Sequence, residues 1–246
     1  MALDTLQENT YVLTGFKELD KVTGGFRKGK LHLIGGRPSQ GKTSFAITLL
    51  KKCCMERDGH AVFVSLEFSE ESLQKRMCFN NPLRVHVQSC PRLCVREIES
   101  FADQISKSLQ GQGKHLDLII IDYLQLLCVS DTRKDRTQAM KDILVELDLL
   151  AKKLNVAMVV FSQLNRSNKD IYNLEDTPVL TDFRELSGDL LKLFYWIFIL
   201  HFPTICTSAG FPKEKGYLII RQLSSKYQGQ IELQFNRTNF LFEEMC

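Results

Sequence analysis

Gly36-Arg37-Pro38-Ser39-Gln40-Gly41-Lys42-Thr43 is the stretch that decides the fold of this chain. A glycine, four residues, then Gly-Lys and a hydroxyl residue is the spacing of a phosphate-binding loop, which has meaning only between a strand and a helix. Both flanks are present. Leu31-His32-Leu33-Ile34 precedes the loop as a short apolar strand, and Ser44 to Lys52 follows it as a helix former with no breaker. Gly36 and Gly41 let the backbone turn so that successive N–H groups converge on phosphate oxygens. The helix N-terminus adds the positive end of its dipole. Lys42 is placed to reach the β- and γ-phosphates, and the Thr43 hydroxyl to hold Mg²⁺. Strand, loop, helix and the Lys-Thr pair together leave little room for a chance glycine-rich turn. The stretch from Gly36 to Thr43 implies a nucleoside-triphosphate site.

Outward from the loop, strand-like runs alternate with helical ones, which predicts an α/β fold with a largely parallel sheet flanked by helices. Strands are expected near 31–35, 61–66, 83–87, 117–121, 156–162, 195–201, 217–222 and 230–235. Helices are expected near 42–57, 69–79, 95–109 and 134–155. The last is the clearest: from Arg136 to Leu154, the residues Ile143, Leu144, Leu147, Leu150 and Leu154 recur at helical spacing with charges opposite. The apolar run Phe194 to Leu200 is too short to span a bilayer and predicts a strand buried on both faces. Thr204 to Lys215 has the composition of a loop.

At 246 residues the chain is long enough to bury a sizeable core as one domain. The net charge of +3 gives no global pull toward nucleic acid, so any such surface must be local. Eight cysteines, at Cys53, Cys54, Cys78, Cys90, Cys94, Cys128, Cys206 and Cys246, include no Cys-x-x-Cys pair. Reduced thiols in a cytoplasmic setting, away from membranes, fit this pattern better than disulfides or zinc. Cys90 and Cys94 resemble half of a metal site, with nothing to complete it.

Three further strand ends supply polar groups. Leu116 to Asp122 is an apolar strand ending in a carboxylate, placed to meet the Mg²⁺ water shell across from Thr43. Ala61 to Leu66 ends in Glu67, suited to deprotonate an attacking water. Val156 to Phe161 leads into Ser162-Gln163, a neutral amide suited to the γ-phosphate. Each is weak alone. Convergence of four strand ends on one nucleotide is a strong constellation.

Thr14-Gly15-Phe16, Leu19-Asp20 and Thr23-Gly24-Gly25 precede the loop. Ser65-Leu66-Glu67-Phe68-Ser69, Asp122-Tyr123-Leu124-Gln125-Leu126, Leu150 to Val156 and Ser162-Gln163-Leu164-Asn165-Arg166 follow it in order. This series closely resembles the C-terminal ATPase domain of DnaB-type replicative helicases, of the RecA-like superfamily, from Thr14 to Phe242. The resemblance implies a RecA-like ATPase domain over 14–246 with an extension at 1–13. It implies ATP and Mg²⁺ held by the loop, by Thr43 and by Asp122. Glu67 would be the catalytic base beside Lys42, with Gln163 as γ-phosphate sensor. Single-stranded DNA, a homo-hexamer and other replication proteins, including a full-length helicase, are the partners it implies. The family segment that lies near DNA corresponds to Thr181-Asp182-Phe183-Arg184-Glu185, which makes Arg184 and Glu185 the DNA-side candidates.

Three departures stand beside the matches. The motifs begin thirteen residues after Met1, so the helical N-terminal domain and linker helix of the family are expected to be absent. The helix after Ser69-Glu70-Glu71 is cut short. Finally, Leu190-Leu191-Lys192-Leu193-Phe194 replaces an acidic turn, and Gln222 and Ser224 fall where the family carries Lys-x-Arg. An arginine supplied to the γ-phosphate is worth about 10³–10⁵ in rate, or roughly 4–7 kcal/mol. Arg221 and Lys226 are the candidates to replace it in trans, although Arg221 belongs to the other strand face. Two readings follow: a helicase motor acting on single-stranded DNA in replication, or a catalytically weak relative that acts as adaptor, loader or regulator of a full-length helicase.

Overall fold

The computed structural model describes residues 10–55, 58–77, 84–128, 135–165, 177–183, 185–186, 188–202, 213–236 and 238–245. Nine strands form one sheet: β3 (Lys30–Gly36), β4 (Ala61–Ser65), β5 (Val85–Ser89), β6 (Leu118–Asp122), β7 (Ala157–Gln163), β8 (Phe194–His201), β9 (Lys213–Gln222), β10 (Tyr227–Asn236) and β11 (Leu241–Glu244). Their order is β11-β10-β9-β8-β3-β7-β6-β4-β5. From β8 to β5 every pairing is parallel, and β9, β10 and β11 add an antiparallel flank. The expected strands are all present, within a few residues of their predicted ends.

The parallel strands read as continuous apolar runs because both faces are covered. Leu31, Leu33, Val62, Val64, Ile119 and Ile121 point to one side, where they pack with α4 (Val95–Gln110) and α5 (Arg136–Leu154). Ile34, Phe63, Leu118 and Ile120 point to the other, against α1 (Lys17–Thr23) and α2 (Lys42–Leu50). The period of two sends neighbours to opposite cores. Helix α5 buries Ile143, Leu144, Leu147 and Leu150 as its spacing predicts. Asp135 caps its start by accepting from the Thr137 N–H at 3.3 Å, and Asn155 ends it in a left-handed conformation.

The helix expected over 42–57 is α2 followed by a π-helical turn, Lys51–Met55. Helix α3 (Glu70–Met77) is short, as the sequence implies. The loop-like stretch 204–215 is partly strand: β9 begins at Lys213, and residues 204–212 lie outside the described ones. Elements with no clear sequence period are the two-residue strands β1 (Tyr11–Val12) and β2 (Phe26–Arg27), the helix α6 (Gly188–Leu191), and β11. The pairing of β1 with β2 ties Tyr11 and Val12, read as part of an extension, to the folded unit.

The motif before the loop is a structural brace. Asp20 Oδ1 accepts from the Thr14 N–H and hydroxyl, both at 2.7 Å, and Asp20 Oδ2 accepts from the Gly15 N–H at 3.0 Å. The buried Phe16 ring then stacks on Phe45 of α2, 5.5 Å between centroids. At the other chain end, Glu244 Oε1 accepts from the Glu18 and Leu19 N–H groups. A carboxylate from β11 thereby satisfies the open start of α1.

Candidate nucleotide site

The site forms at the C-terminal ends of the parallel strands. β3 ends at Gly36 and α2 begins after Gly41, so the loop spans sheet to helix as its sequence requires. Gly41 has φ of 79°, and a Cβ there would meet the Phe242 ring at 3.0 Å, so conformation and space both call for glycine. Ser39 is also left-handed, at φ 63°. No side chain caps α2, which leaves its first N–H groups directed at the loop cavity.

Lys42 folds back over the loop, with Nζ donating to the carbonyls of Gly36 and Arg37, both at 3.1 Å. Burial lowers its pKa, against the pull of Asp122 and Glu67. Thr43 Oγ1 donates to Asp122 Oδ2 at 2.7 Å, joining the helix start to the end of β6. Asp122 is 1% exposed, and its Oδ1 has no hydrogen-bond partner. Burial pushes its pKa up to about 6; the Thr43 bond and the Lys42 charge oppose that rise, and Glu67 adds to it. A buried carboxylate oxygen without a partner, beside a threonine hydroxyl and a lysine, is a donor set that fits a divalent cation bound with phosphate.

Glu67 is exposed just past the end of β4, and its charge is felt at both Lys42 and Asp122. Its turn is fixed from below. Ser65 Oγ bonds the Phe68 carbonyl and N–H, Ser89 Oγ donates to the Phe68 carbonyl, and the Leu66 N–H donates to the Asp122 carbonyl. Gln163 ends β7, level with Gly36 of β3. Lys42, Thr43, Glu67, Asp122 and Gln163 are thus gathered at adjacent strand ends.

Other residues behave differently from the sequence expectation. The Gln40 side chain does not face the loop cavity: its Oε1 accepts from the Phe202 N–H at 2.5 Å, and its Nε2 donates to the Phe202 carbonyl at 3.3 Å. Arg37 is buried beside His201, whose pKa is held down to about 4 by burial first and the Arg37 charge second. Glu185 is ion-paired to Arg136 at 2.9 Å, while Arg184 lies outside the described residues. Arg136, His201 and Phe202 were missed because no local motif marks them, and Gln125 stands in the Asp122-to-Leu126 run without anything local that gives its side chain a role. Their roles depend on strands distant in sequence.

Arg221 and Lys226 sit far from their own loop. Gly36 is level with Leu200 of β8, which pairs with Leu218 of β9, and β9 then runs away from the loop. Four residues from Leu218 to Gln222 cover about 13 Å at 3.3 Å each. Arg221 Nη1 is turned onto its own hairpin, to the carbonyls of Ile220 at 2.9 Å and Gly229 at 3.4 Å. Lys226 is exposed in the turn, at φ 57°. Gln222 Oε1 accepts from Ser225 Oγ at 2.6 Å.

A family model for the DnaB-like helicase C-terminal domain matches residues 12–90 and 80–244. This chain belongs to the DnaB-like helicase C-terminal domain family. The replicative DNA helicase DnaB of Helicobacter pylori strain 26695 is 33% identical over 222 residues, covering 76% of this chain and 44% of that protein. DnaB of Buchnera aphidicola subsp. Acyrthosiphon pisum is 29% identical over 257 residues, covering 92% and 54%. The chain therefore spans about half the length of these curated relatives or less. A solved DnaB-like replicative helicase, whose structure is described together with its interactions with primase, superimposes with a TM-score of 0.80 at 25% identity over 100% of this chain and 66% of that one. A solved ATPase domain matches with a TM-score of 0.81 at 25% identity, over 100% of this chain and 98% of its own. The RecA-like α/β fold and the nucleotide use expected of the DnaB-like domain agree with the loop geometry. Among the described residues no helix is long and apolar enough to cross a membrane, and no cluster of three or more His, Cys, Asp or Glu could hold a metal ion. Cys54, Cys90, Cys94 and Cys128 are free thiols.

Proposed function

We propose that this chain is the ATP-driven motor unit of a DnaB-like helicase, acting on single-stranded DNA in replication. Residues 14–246 form the ATPase unit, with Tyr11 and Val12 strapped to it by β2. The observation that carries the reading is the 2.7 Å bond between Thr43 and Asp122, with the second Asp122 oxygen buried and unpartnered. Thr43 and Asp122 would hold Mg²⁺, which supplies charge screening on the β- and γ-phosphates.

The protein groups divide the remaining work. Lys42 exchanges the Gly36 and Arg37 carbonyls for phosphate oxygens, and the uncapped N–H groups of α2 accept the phosphate charge. Glu67, exposed just past the end of β4, takes the proton of the attacking water. Gln163 bonds the γ-phosphate without cancelling its charge. ATP is the nucleotide of choice through the family, and a cytoplasmic setting suits the free thiols.

The site needs a cation from a neighbour. Lys226, exposed at the β9–β10 turn on the far side of the sheet, is the better trans candidate; Arg221 is already spent on its own hairpin carbonyls. Gln222 and Ser224 at the register of the family's basic pair favour slow hydrolysis, and keep an adaptor or loader role beside a full-length helicase as the second reading. Arg184 remains the proposed phosphate-backbone contact on DNA. Light scattering at micromolar concentration with ATP and Mg²⁺, beside a turnover assay, tests the assembly. The reading expects a monomer or weak oligomer whose slow turnover rises with DNA. A stable hexamer with fast turnover would show that Lys226 or Arg221 fully replaces the missing pair, and a protein inert to nucleotide would end the motor reading.

A further inference from the structure

Beyond the phosphate loop, a polar cleft of about 480 Å³ is lined by Tyr123, Gln125, Arg136, Gln163, Asn165 and Glu185. A continuous chain of hydrogen bonds crosses it. The Gln163 N–H donates to Gln125 Oε1 at 3.2 Å, and Gln125 Nε2 donates to Ser162 Oγ at 2.8 Å and to the Gln163 carbonyl at 3.3 Å. The Gln125 amide thereby grips the end of β7 as a neighbouring strand would. Its own backbone carbonyl accepts from Arg136 Nη2 at 2.6 Å, and Arg136 Nε donates to Glu185 Oε2 at 2.9 Å.

Two features mark Arg136 as placed for this contact. It opens α5, where the positive end of the helix dipole disfavours a cation by about 0.3–1 kcal/mol. Glu185, its partner, sits at φ 65°, in the left-handed region that non-glycine residues occupy only when their surroundings hold them there. One planar guanidinium joins the turn after β6, the start of α5 and the segment after Phe183. Lysine, a point charge on a flexible stem, cannot make the same fork. The charge-assisted bonds at Arg136 are the stiff links, and the two longest contacts lie at Gln163. Both contacts at Gln163 are made by its backbone N–H and carbonyl, so they depend on where the end of β7 sits.

We infer that Arg136 is a positioning residue that couples nucleotide occupancy at Gln163 to the Glu185 segment, and so links nucleotide binding to single-strand binding. The inference rests on the nucleotide-site reading above. Such coupling is reciprocal: DNA changes nucleotide affinity by the same factor as nucleotide changes DNA affinity, commonly about 5–150-fold. The test is the affinity of the full chain for a fluorescent, non-hydrolysable ATP analogue with Mg²⁺, with and without saturating oligo-dT. Parent, Arg136→Ala, Arg136→Lys, Glu185→Ala and the Arg136→Ala/Glu185→Ala double variant are compared, with circular dichroism melts to establish folding.

The parent should show a clear ratio between the two affinities. Arg136→Ala should bring that ratio close to 1 while leaving the affinity without DNA unchanged. Arg136→Lys, which keeps the charge and the fold, should retain only part of the ratio, and the double variant should be no worse than Arg136→Ala alone. A ratio as large as the parent's in Arg136→Ala, or in Arg136→Lys if the alanine variant does not fold, overturns the relay. A parent that binds both ligands with a ratio of 1 overturns it too. A parent that binds no nucleotide, or no DNA, instead sinks the functional reading on which the relay stands.

Discussion

Asp122→Asn should make the ligand-free protein more stable while damaging its nucleotide site. The carboxyl is 1% exposed, and burial raises its pKa from 3.8 to about 6. A folded pKa above the unfolded one means the folded state holds the proton harder. Stability from this group is complete below about pH 3.8, falls as pH rises toward 6, and stays at its minimum above that. At about 1.36 kcal/mol per pKa unit, the ionised group costs the fold up to about 3 kcal/mol at neutral pH. Asparagine carries no charge, and its carbonyl still accepts from Thr43, so most of that cost disappears. In a chain of this size each kcal/mol moves Tm by roughly 2–4 °C. Thermal melts of parent and variant from pH 4 to 8, without nucleotide, are the assay. The variant should melt higher at pH 8, with the gap closing as pH falls below 6. With Mg²⁺ and nucleotide added, the parent should gain more. A variant less stable than the parent at pH 8, or a gap that ignores pH, would refute the view of Asp122 as a buried charge waiting for a cation.

Other expectations follow from the same geometry. Glu67→Gln keeps the shape of the base but removes its proton acceptor, so nucleotide affinity should persist while turnover falls roughly 10²–10⁴-fold; steady-state kinetics beside calorimetry separate the two. Gln40→Ala leaves the buried Phe202 N–H and carbonyl without their partner, at about 1–3 kcal/mol for each unsatisfied group, and should raise KM for ATP more than it lowers kcat. His32, fully buried, has its pKa lowered from 6.5 to about 4 by burial, so its share of stability is present above about pH 6.5 and is lost as pH falls toward 4; His32→Leu should flatten that acid limb in urea titrations. Binding of oligo-dT should weaken with salt at a slope near −0.7 per phosphate contact, and Arg184→Ala should make it shallower in anisotropy titrations.

The fold was readable because the phosphate loop fixes the order strand, loop, helix, and because the parallel strands are apolar on both faces. Asp122, Glu67 and Gln163 were legible as candidates because each ends or follows an apolar run, and a parallel sheet brings such ends together; Thr43 was legible from the Gly-Lys-Thr spacing of the loop. What escaped were groups whose meaning comes from pairing across the sheet. Gln40 looks like one more loop residue until Phe202, 162 residues later, meets it. Arg136 looks like the first charge of an amphipathic helix until Gln125 and Glu185 close around it. β1 and β2, two residues each, are too short for any period to show. Arg221 was read as lying on the other strand face from the family's basic pair, but only the β8–β9 register shows how far its hairpin lies from its own loop.

Whether Lys42, Thr43 and Asp122 of this DnaB-like domain hold a Mg²⁺-nucleotide for DNA-dependent hydrolysis is decided by ATP turnover. Phosphate release is measured for parent and Lys42→Ala at equal concentration, each with and without single-stranded DNA. The parent should turn over slowly and faster with DNA, and Lys42→Ala should lose both while its melt shows an intact fold. Turnover in Lys42→Ala equal to the parent's, or a parent that releases no phosphate with DNA present, would contradict that assignment.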